Sequence, residues 1–401
     1  MRLWEEIEAA QRQIKRAVLR TPIIYSDAIS KMTGKEVFLK LENLQKTGSF
    51  KIRGAYYKLS QFPPAARKKG VVAASAGNHA QGVAYASSLL GIPSTIVMPE
   101  SSSIAKQMAT RSYGGEVVLS GKDTDEALGY ASELAEGGKS FIHPFDDPQI
   151  IAGQGTIGIE ILEDVPGVEA IVVPVGGGGL ISGITALVKK RRPRVKVIGV
   201  QSERVPSALL AVKKGKIVEV KIEPTLADGI ALRKLGENTF PIIQKDVDEI
   251  ITVDEDAIAS AILLLMERKR IVAEGAGATP LAALLSKKWK LKARRVVLVI
   301  SGGNIDVHLL DRIIEKGLSQ TGRVVRFGVL LRDIPGALAT LTSLIAQSHA
   351  NILHITHERA ARDIPIGFSR VVLVLETRGP DHVSEIKTQL REKGYLLQML
   401  S

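Results

Sequence analysis

Between residues 37 and 300, short β-branched runs alternate with longer amphipathic stretches, and this constrains the fold more than any other feature of the chain. The runs are 37–41, 71–74, 94–98, 116–119, 170–174, 195–200 and 296–300. Most are continuously apolar, as strands are when helices cover both faces of a parallel sheet. Helices are expected at 82–90, 104–113, 123–136, 157–164, 180–190, 254–268 and 280–289. So many strands outgrow a single core, which predicts an α/β body with two parallel-rich sheets.

The pattern changes after the polar, Gly-containing stretch 315–322. Beyond it come a strand (324–331), a turn with Pro335-Gly336, a helix (337–349), strands at 351–358 and 367–376, a helix (382–393) and a strand (395–400). That β-α-β-β-α-β order is the α+β ferredoxin-like module. The boundary is expected near residue 320, with domains at 1–318 and 323–401.

Composition removes several classes of function. With no cysteine there is no disulfide, zinc ribbon, iron–sulfur cluster or thiol nucleophile. The seven histidines form no HExxH pair, and His349, His354 and His357 read as structural, so no metal site is expected. No window approaches a membrane span: the stretch 258–266 is interrupted by Ser260 and stopped by Glu267. Residues 1–20 carry charges at helical spacing and lack a signal peptide's apolar core, which predicts a cytoplasmic protein.

The net charge of +12 and a pI near 9.6 invite a nucleic-acid reading. However, the basic run 189–194 ends one helical stretch, and the cluster from Lys287-Lys288 to Arg294-Arg295 follows another. Cations there offset the negative end of the helix dipole. Aromatics, at 4%, are too few to interleave as stacking platforms, so no nucleic-acid partner is expected.

Turns between a strand and a helix are where α/β proteins hold ligands, since turn backbone approaches closely and helix N-termini favour anions. Four stand out: Thr47 to Gly54, Ala74 to Gly82, Val175 to Leu180 and Ser301 to Asn304. The glycines Gly176, Gly177, Gly178 and Gly179 leave room for backbone N–H groups to converge on a phosphate, although glycines alone also suit a flexible joint. No Gly-Lys-Ser/Thr follows, so this is not a Walker A loop. A dinucleotide fingerprint is imperfectly met, with Ser182 in the third-glycine position and Glu203 as a possible ribose acid. A nicotinamide-dependent dehydrogenase fused to an amino-acid sensor is therefore the alternative. Lys51 falls at a loop-to-helix junction, where the dipole disfavours a cation, so its presence suggests a specific use. A lysine, a phosphate cradle and further polar turns together meet the needs of pyridoxal phosphate.

The motifs Ser49-Phe50-Lys51-Ile52-Arg53-Gly54, Ser75-Ala76-Gly77-Asn78-His79-Ala80-Gln81-Gly82, Gly176 to Gly179 and Ser301-Gly302-Gly303-Asn304 occur in order. With them, residues 14–314 resemble the threonine/serine dehydratases among the tryptophan-synthase-β-like, fold type II pyridoxal-phosphate enzymes. The tail, with Leu331-Arg332-Asp333-Ile334-Pro335-Gly336-Ala337-Leu338, is similar to an ACT domain. The whole chain resembles the ACT-bearing threonine ammonia-lyases.

That resemblance implies a two-subdomain catalytic body followed by a regulatory module, and a role for each motif residue. Lys51 would carry the cofactor as an imine and later take the Cα proton, and Phe50 would pack on the ring. Asn78 would bond the phenolic oxygen, and Ser75, Asn78 and His79 would receive the substrate carboxylate. Gly176 to Gly179 would cradle the phosphate, Ser301 would face the pyridine nitrogen, and Glu274 would lie near the ring. A neutral serine at that nitrogen delocalises the carbanion less than a carboxylate would, which favours β-elimination over transamination. The expected products are 2-oxobutanoate from L-threonine and, as a secondary activity, pyruvate from L-serine, each with ammonia.

Ala76 stands where related serine racemases place a second acid/base serine, and Leu209 where they place a metal-binding acid beyond the glutamate matching Glu203. Racemisation and a divalent cation are therefore not expected; a monovalent ion held by carbonyls is the remaining option. The resemblance further implies a small-molecule effector at the ACT domain, an amino acid or a nucleotide, with the Asp333–Gly336 turn either an amino-acid site or a helix entry that only supports dimerisation, and a homodimer or homotetramer.

Overall fold

The computed structural model describes residues 2–286, 289–360 and 362–399. Two compact units, Met1–Ile305 and Asp306–Ser401, make up the chain.

Among the described residues, ten strands build the sheets of the first unit. In chain order they are β1 (Ile23–Tyr25), β2 (Glu36–Leu41), β3 (Val71–Ala74), β4 (Ser94–Met98), β5 (Glu116–Leu119), β6 (Ser140–Phe141), β7 (Ala170–Pro174), β8 (Lys196–Ser202), β9 (Glu249–Val253) and β10 (Arg295–Ile300). The larger sheet has the order β1-β2-β10-β7-β8-β9, parallel except for β1 at one edge. The smaller is parallel throughout, in the order β5-β4-β3-β6.

β7 is buried along its whole length and β10 everywhere but at Arg295, as continuous β-branched runs require when both faces are covered. The last strand, β10, inserts between β2 and β7: residues 296–300 pair with 37–41 on one side, and 296–298 with 170–172 on the other. This crossover brings the turns that follow β2, β10 and β7 to the same edge of the sheet, at the carboxyl ends of the strands, where open α/β sheets bind ligands.

The seven expected strands are β2, β3, β4, β5, β7, β8 and β10. β1 and β6 are too short to show a period, and β9 is an edge strand whose run of five had no clear apolar face.

Three of the helices expected in the first unit have other bounds, and the helices Asp27–Thr33, Pro64–Lys69, Ser207–Lys214 and Phe240–Asp246 were not expected. Pro148–Asp164 begins nine residues ahead of the expected 157, with Asp147 accepting the N–H groups of Gln149 and Ile150 and Pro148 in the first turn. Gly153 and Gly155 interrupt the apolar pattern ahead of residue 157, and both are there for close packing. A Cβ on Gly153 would stand 2.5 Å from the Arg53 carbonyl, and one on Gly155 2.9 Å from the Gly183 carbonyl. The helix expected at 280–289 runs Gly275–Leu285, because its glycine- and alanine-rich first turn is buried rather than amphipathic. Lys287 and Lys288 lie outside the described residues. Asn78–Leu90 begins four residues ahead of the expected 82.

The run 189–194 overlaps the last turn of helix Gly179–Arg191, where Lys189 pairs with Asp248 at 2.6 Å and Arg191 with Glu8 at 2.7 Å. No described helix is long and apolar enough to cross a membrane.

The second unit opens with helix Val307–Gln320 and continues into a four-stranded antiparallel sheet of β11 (Val324–Arg332), β12 (Asn351–Glu358), β13 (Phe368–Glu376) and β14 (Leu396–Met399). The order is β12-β13-β11-β14, with helices Ala337–Gln347 and Pro380–Glu392 supplying the crossovers. Phe327, Val329, Leu341, Ile345, Leu373 and Ile386 form part of a separate core. The helix expected to reach His349 ends at Gln347, and His349 itself turns left-handed at φ 57°. Leu400, the expected end of the last strand, lies outside the described residues.

Candidate active site

β2 leads through the single turn Glu42–Leu44 and a short loop into helix Lys51–Ser60, of which Lys51 is the first residue. That loop is fixed from the neighbouring strand. Ser49 and Gly302 form an antiparallel bridge, the Phe50 N–H donates to the Ser301 carbonyl at 3.1 Å, and the Gly303 N–H donates to Gly48 at 2.9 Å. Gly48 is left-handed at φ +70°, and a Cβ there would stand 2.4 Å from Asn304 Oδ1, so only glycine suits this position. Lys51 and Ser301 are thus held together by backbone pairing, with Ser301 only 2% exposed.

Lys51 Nζ donates to the Pro144 carbonyl at 2.8 Å and stands 5.3 Å from the centre of the half-buried Phe50 ring. Burial pushes this amine down to about 8, against the opposing pull of the Glu274 carboxylate. Glu274, 6% exposed, precedes helix Gly275–Leu285. Burial pushes its carboxyl up to about 7, while the Asn78 amide acts in the other direction. Asn78 Nδ2 donates to both carboxylate oxygens, at 2.8 and 2.9 Å, and Asn78 Oδ1 accepts from Asn304 Nδ2 at 2.5 Å.

Asn78 and His79 open helix Asn78–Leu90 at the end of β3. His79 Nε2–H donates to the Ile142 carbonyl at 2.8 Å. Burial and the nearby Lys51 amine hold the imidazole neutral, down to about 3. Ser75 Oγ accepts from the Gly77 N–H at 3.2 Å and so turns toward its own loop.

The glycine turn after β7 leaves no room for side chains. Gly178 is at φ +97°; a Cβ on Gly177 would lie 2.3 Å from the Phe145 ring, and one on Gly179 would lie 2.7 Å from Gln154 Oε1. The turn is braced from behind, since Thr239 Oγ1 donates to the Gly177 carbonyl at 2.7 Å and the Asp146 carboxylate accepts the N–H groups of Glu237 and Asn238. The N–H groups of Gly176, Gly177 and Gly178 have no backbone acceptor among the described residues. A rigid cradle of free N–H groups, one strand away from the pair holding a half-buried amine of depressed pKa, fits pyridoxal phosphate.

The ends of β2, β10 and β7 therefore carry Phe50 and Lys51, Ser301, and Gly176 to Gly179, while Ser75, Asn78 and His79 stand at the end of β3 in the other sheet. Contact between Asn78 and Glu274 ties that second group to the helix that follows β9 and its own helix. Sequence reasoning missed the segment 143–146. His143 Nδ1 accepts the Asp146 N–H at 2.8 Å, Pro144 receives Lys51, and Phe145 lies on Gly177. The turn residues His143-Pro144-Phe145-Asp146-Asp147-Pro148, bounded by prolines, were the available signal. Asn304, at the end of the fourth turn, is a second hydrogen-bonding partner of Asn78 beside Glu274.

Comparison with known proteins matches residues 14–302 to the family described as pyridoxal-phosphate dependent enzyme, and residues 325–394 to the ACT domain. The chain is 52% identical over 397 residues to a protein of Thermotoga maritima named L-threonine ammonia-lyase, covering 99% of each. Among solved structures, the processed form of threonine deaminase isoform 2 from Solanum lycopersicum is 38% identical with a TM-score of 0.75, covering 78% of this chain and 92% of that one. Maize serine racemase is 35% identical, also with a TM-score of 0.75, covering 79% and 98%.

Proposed function

We propose that this chain, which belongs to the pyridoxal-phosphate dependent enzyme family and carries an ACT domain, removes ammonia from L-threonine by α,β-elimination to give 2-oxobutanoate. The observation that carries the reading is the half-buried Lys51, its pKa depressed to about 8, at a helix start whose loop is paired to the strand beside the glycine cradle. Bound pyridoxal phosphate supplies an aldehyde for the substrate amine and a ring that accepts the electrons left when the Cα proton departs.

The chain's own residues do the rest. Gly176 to Gly179 hold the phosphate with backbone N–H groups. Phe50 closes one side near the amine. Lys51, released as a neutral amine, takes the Cα proton; near neutral pH its depressed pKa leaves a useful fraction unprotonated. Ser301 offers a hydroxyl rather than a carboxylate to the ring nitrogen. Asn78, whose amide bonds Glu274 and Asn304, would hold the phenolic oxygen of the bound group, and the Ser75–His79 turn would receive the substrate carboxylate on its donors. The β-hydroxyl leaves as water, and a second water hydrolyses the released enamine through its imine, so ammonia is the net loss. L-Serine reacts in the same way to pyruvate, as a secondary substrate.

The catalytic part extends through residue 318 and the regulatory part begins at 323, with a small-molecule effector bound near Asp333–Gly336. The protein assembles as a homodimer or homotetramer and works in the cytoplasm. Ala76, with no acid/base side chain, supports lyase over racemase chemistry. The test is an absorbance scan with pyridoxal phosphate, before and after L-threonine, beside Lys51→Ala. A band above about 400 nm that shifts with threonine, and 2-oxo acid formation that falls at least 10³-fold in Lys51→Ala, are expected. A featureless wild-type spectrum sinks the reading.

A further inference from the structure

Four charged side chains with no part in that chemistry lie in the interior beneath helix Lys51–Ser60. Lys40 comes from the end of β2, Glu42 from the single turn that follows it, Arg53 from the helix, and Glu160 from helix Pro148–Asp164; Lys40, Glu42 and Arg53 are 0% exposed and Glu160 2%. Arg53 is the hub. Its Nε and Nη2 donate to Glu42 at 2.8 and 2.7 Å, Nη1 donates to Glu160 Oε1 at 2.7 Å and to Thr156 Oγ1 at 3.1 Å, and Nη2 also reaches the Leu19 carbonyl at 3.3 Å. Lys40 is bonded to Glu160 and donates to the Thr21 carbonyl at 2.7 Å. The formal charges cancel.

Such a cluster is poorly explained as a source of stability, because well-packed apolar residues of similar volume serve as well or better. Its position suggests another use. Arg53 follows Lys51 by two residues, about 200° around the helix, so the two side chains leave on nearly opposite faces. Gly54 and Gly153 already fix the spacing of the two helices: a Cβ on either would meet backbone of the other at 2.8 Å or less. Close spacing leaves rotation about the helix axis as the remaining freedom. The Lys51 amine stands on the order of 8 Å from that axis, so a 10° rotation moves it by about 1.4 Å. A misplacement of about 1 Å can cost about 10²-fold in rate.

We infer that Arg53 is a positioning residue for Lys51, and that its bidentate fork on Glu42 locks the rotation of helix Lys51–Ser60 so that the amine faces the glycine cradle. This rests on the proposed pyridoxal-phosphate chemistry.

The test compares two charge-neutral pairs in the cofactor-stripped protein. Arg53→Met with Glu42→Gln removes the lock. Lys40→Met with Glu160→Gln disrupts the same cluster but leaves Arg53 forked on Glu42. Two quantities are read: the rate at which Lys51 bonds to added pyridoxal phosphate, by borohydride fixation and mass spectrometry, and the affinity for pyridoxamine phosphate, by fluorescence anisotropy. Pyridoxamine phosphate has no aldehyde and needs only the cradle. The Arg53 pair is expected to slow attachment at least tenfold and the Lys40 pair less than twofold, with pyridoxamine phosphate affinity within twofold in both.

Equal attachment rates in the two pairs, or a loss of pyridoxamine phosphate affinity in step with attachment, overturns the inference. If the Arg53 pair does not fold, Arg53→Lys, which keeps the charge without the fork, takes its place in the same comparison. A wild-type protein that attaches no pyridoxal phosphate overturns the proposed function as well; one that loads normally alongside indifferent variants overturns only the positioning role.

Discussion

At Lys51 burial and a nearby carboxylate pull one amine in opposite directions, and burial prevails, which sets where the residue becomes reactive. Only the neutral amine attacks an aldehyde. Attachment of pyridoxal phosphate to the stripped protein should therefore accelerate about tenfold per pH unit below about 8 and level off above about 9, a profile that stopped-flow absorbance would record. Glu274 makes a separate prediction through stability. Its folded-state pKa is raised to about 7 from an ordinary 4.5, so the fold favours the protonated form; that contribution is complete below about 4.5 and is lost as pH rises through 7. The full span amounts to at most about 3 kcal/mol. Melting curves should show wild type losing more stability than Glu274→Gln between pH 5 and 8, and parallel losses would refute it. Lys51 and Asn78 were legible as residues because each sits in a local motif. The carboxylate that engages Asn78 lies 196 positions away in the chain, and no local pattern announces a partner at that distance.

The elements behave as the physics of their patterns demands, except where glycine intervenes. Continuous apolar runs became buried parallel strands because both their faces are covered. The helix Pro148–Asp164 was half hidden, since the glycines that erased its amphipathic signal are the residues that let neighbouring helices approach. In the cradle after β7, glycine serves the site directly. Gly177→Ala puts a methyl group where the Phe145 ring lies, 2.3 Å from its nearest atom. The ring or the turn must move, so affinity for pyridoxamine phosphate should fall at least tenfold in a fluorescence titration while far-UV circular dichroism stays as in wild type. Unchanged affinity would show that the turn is not the phosphate site.

Across the whole molecule, the chain forms two units with separate cores. If the regulatory part begins at residue 323, a chain ending at 320 keeps threonine deamination within about threefold and loses every response to effectors that the full chain shows. A steady-state assay with candidate amino acids and nucleotides checks both halves of that statement, and a truncated chain still responding to an effector would contradict it. The α/β body, the ferredoxin-like tail and the four ligand turns were readable in the sequence, because periodicity and turn chemistry are local properties that the chain carries before it folds, while the family was legible only through resemblance of those motifs. What only the tertiary structure decided is adjacency. It inserted the last strand of the first unit between β2 and β7, set Lys51 beside Ser301, brought Asn304 and Glu274 to Asn78, and gathered Lys40, Glu42, Arg53 and Glu160 into one neutral interior cluster. Strand order and the pairing of buried charges depend on contacts between distant segments, and their energies exist only once the chain is packed.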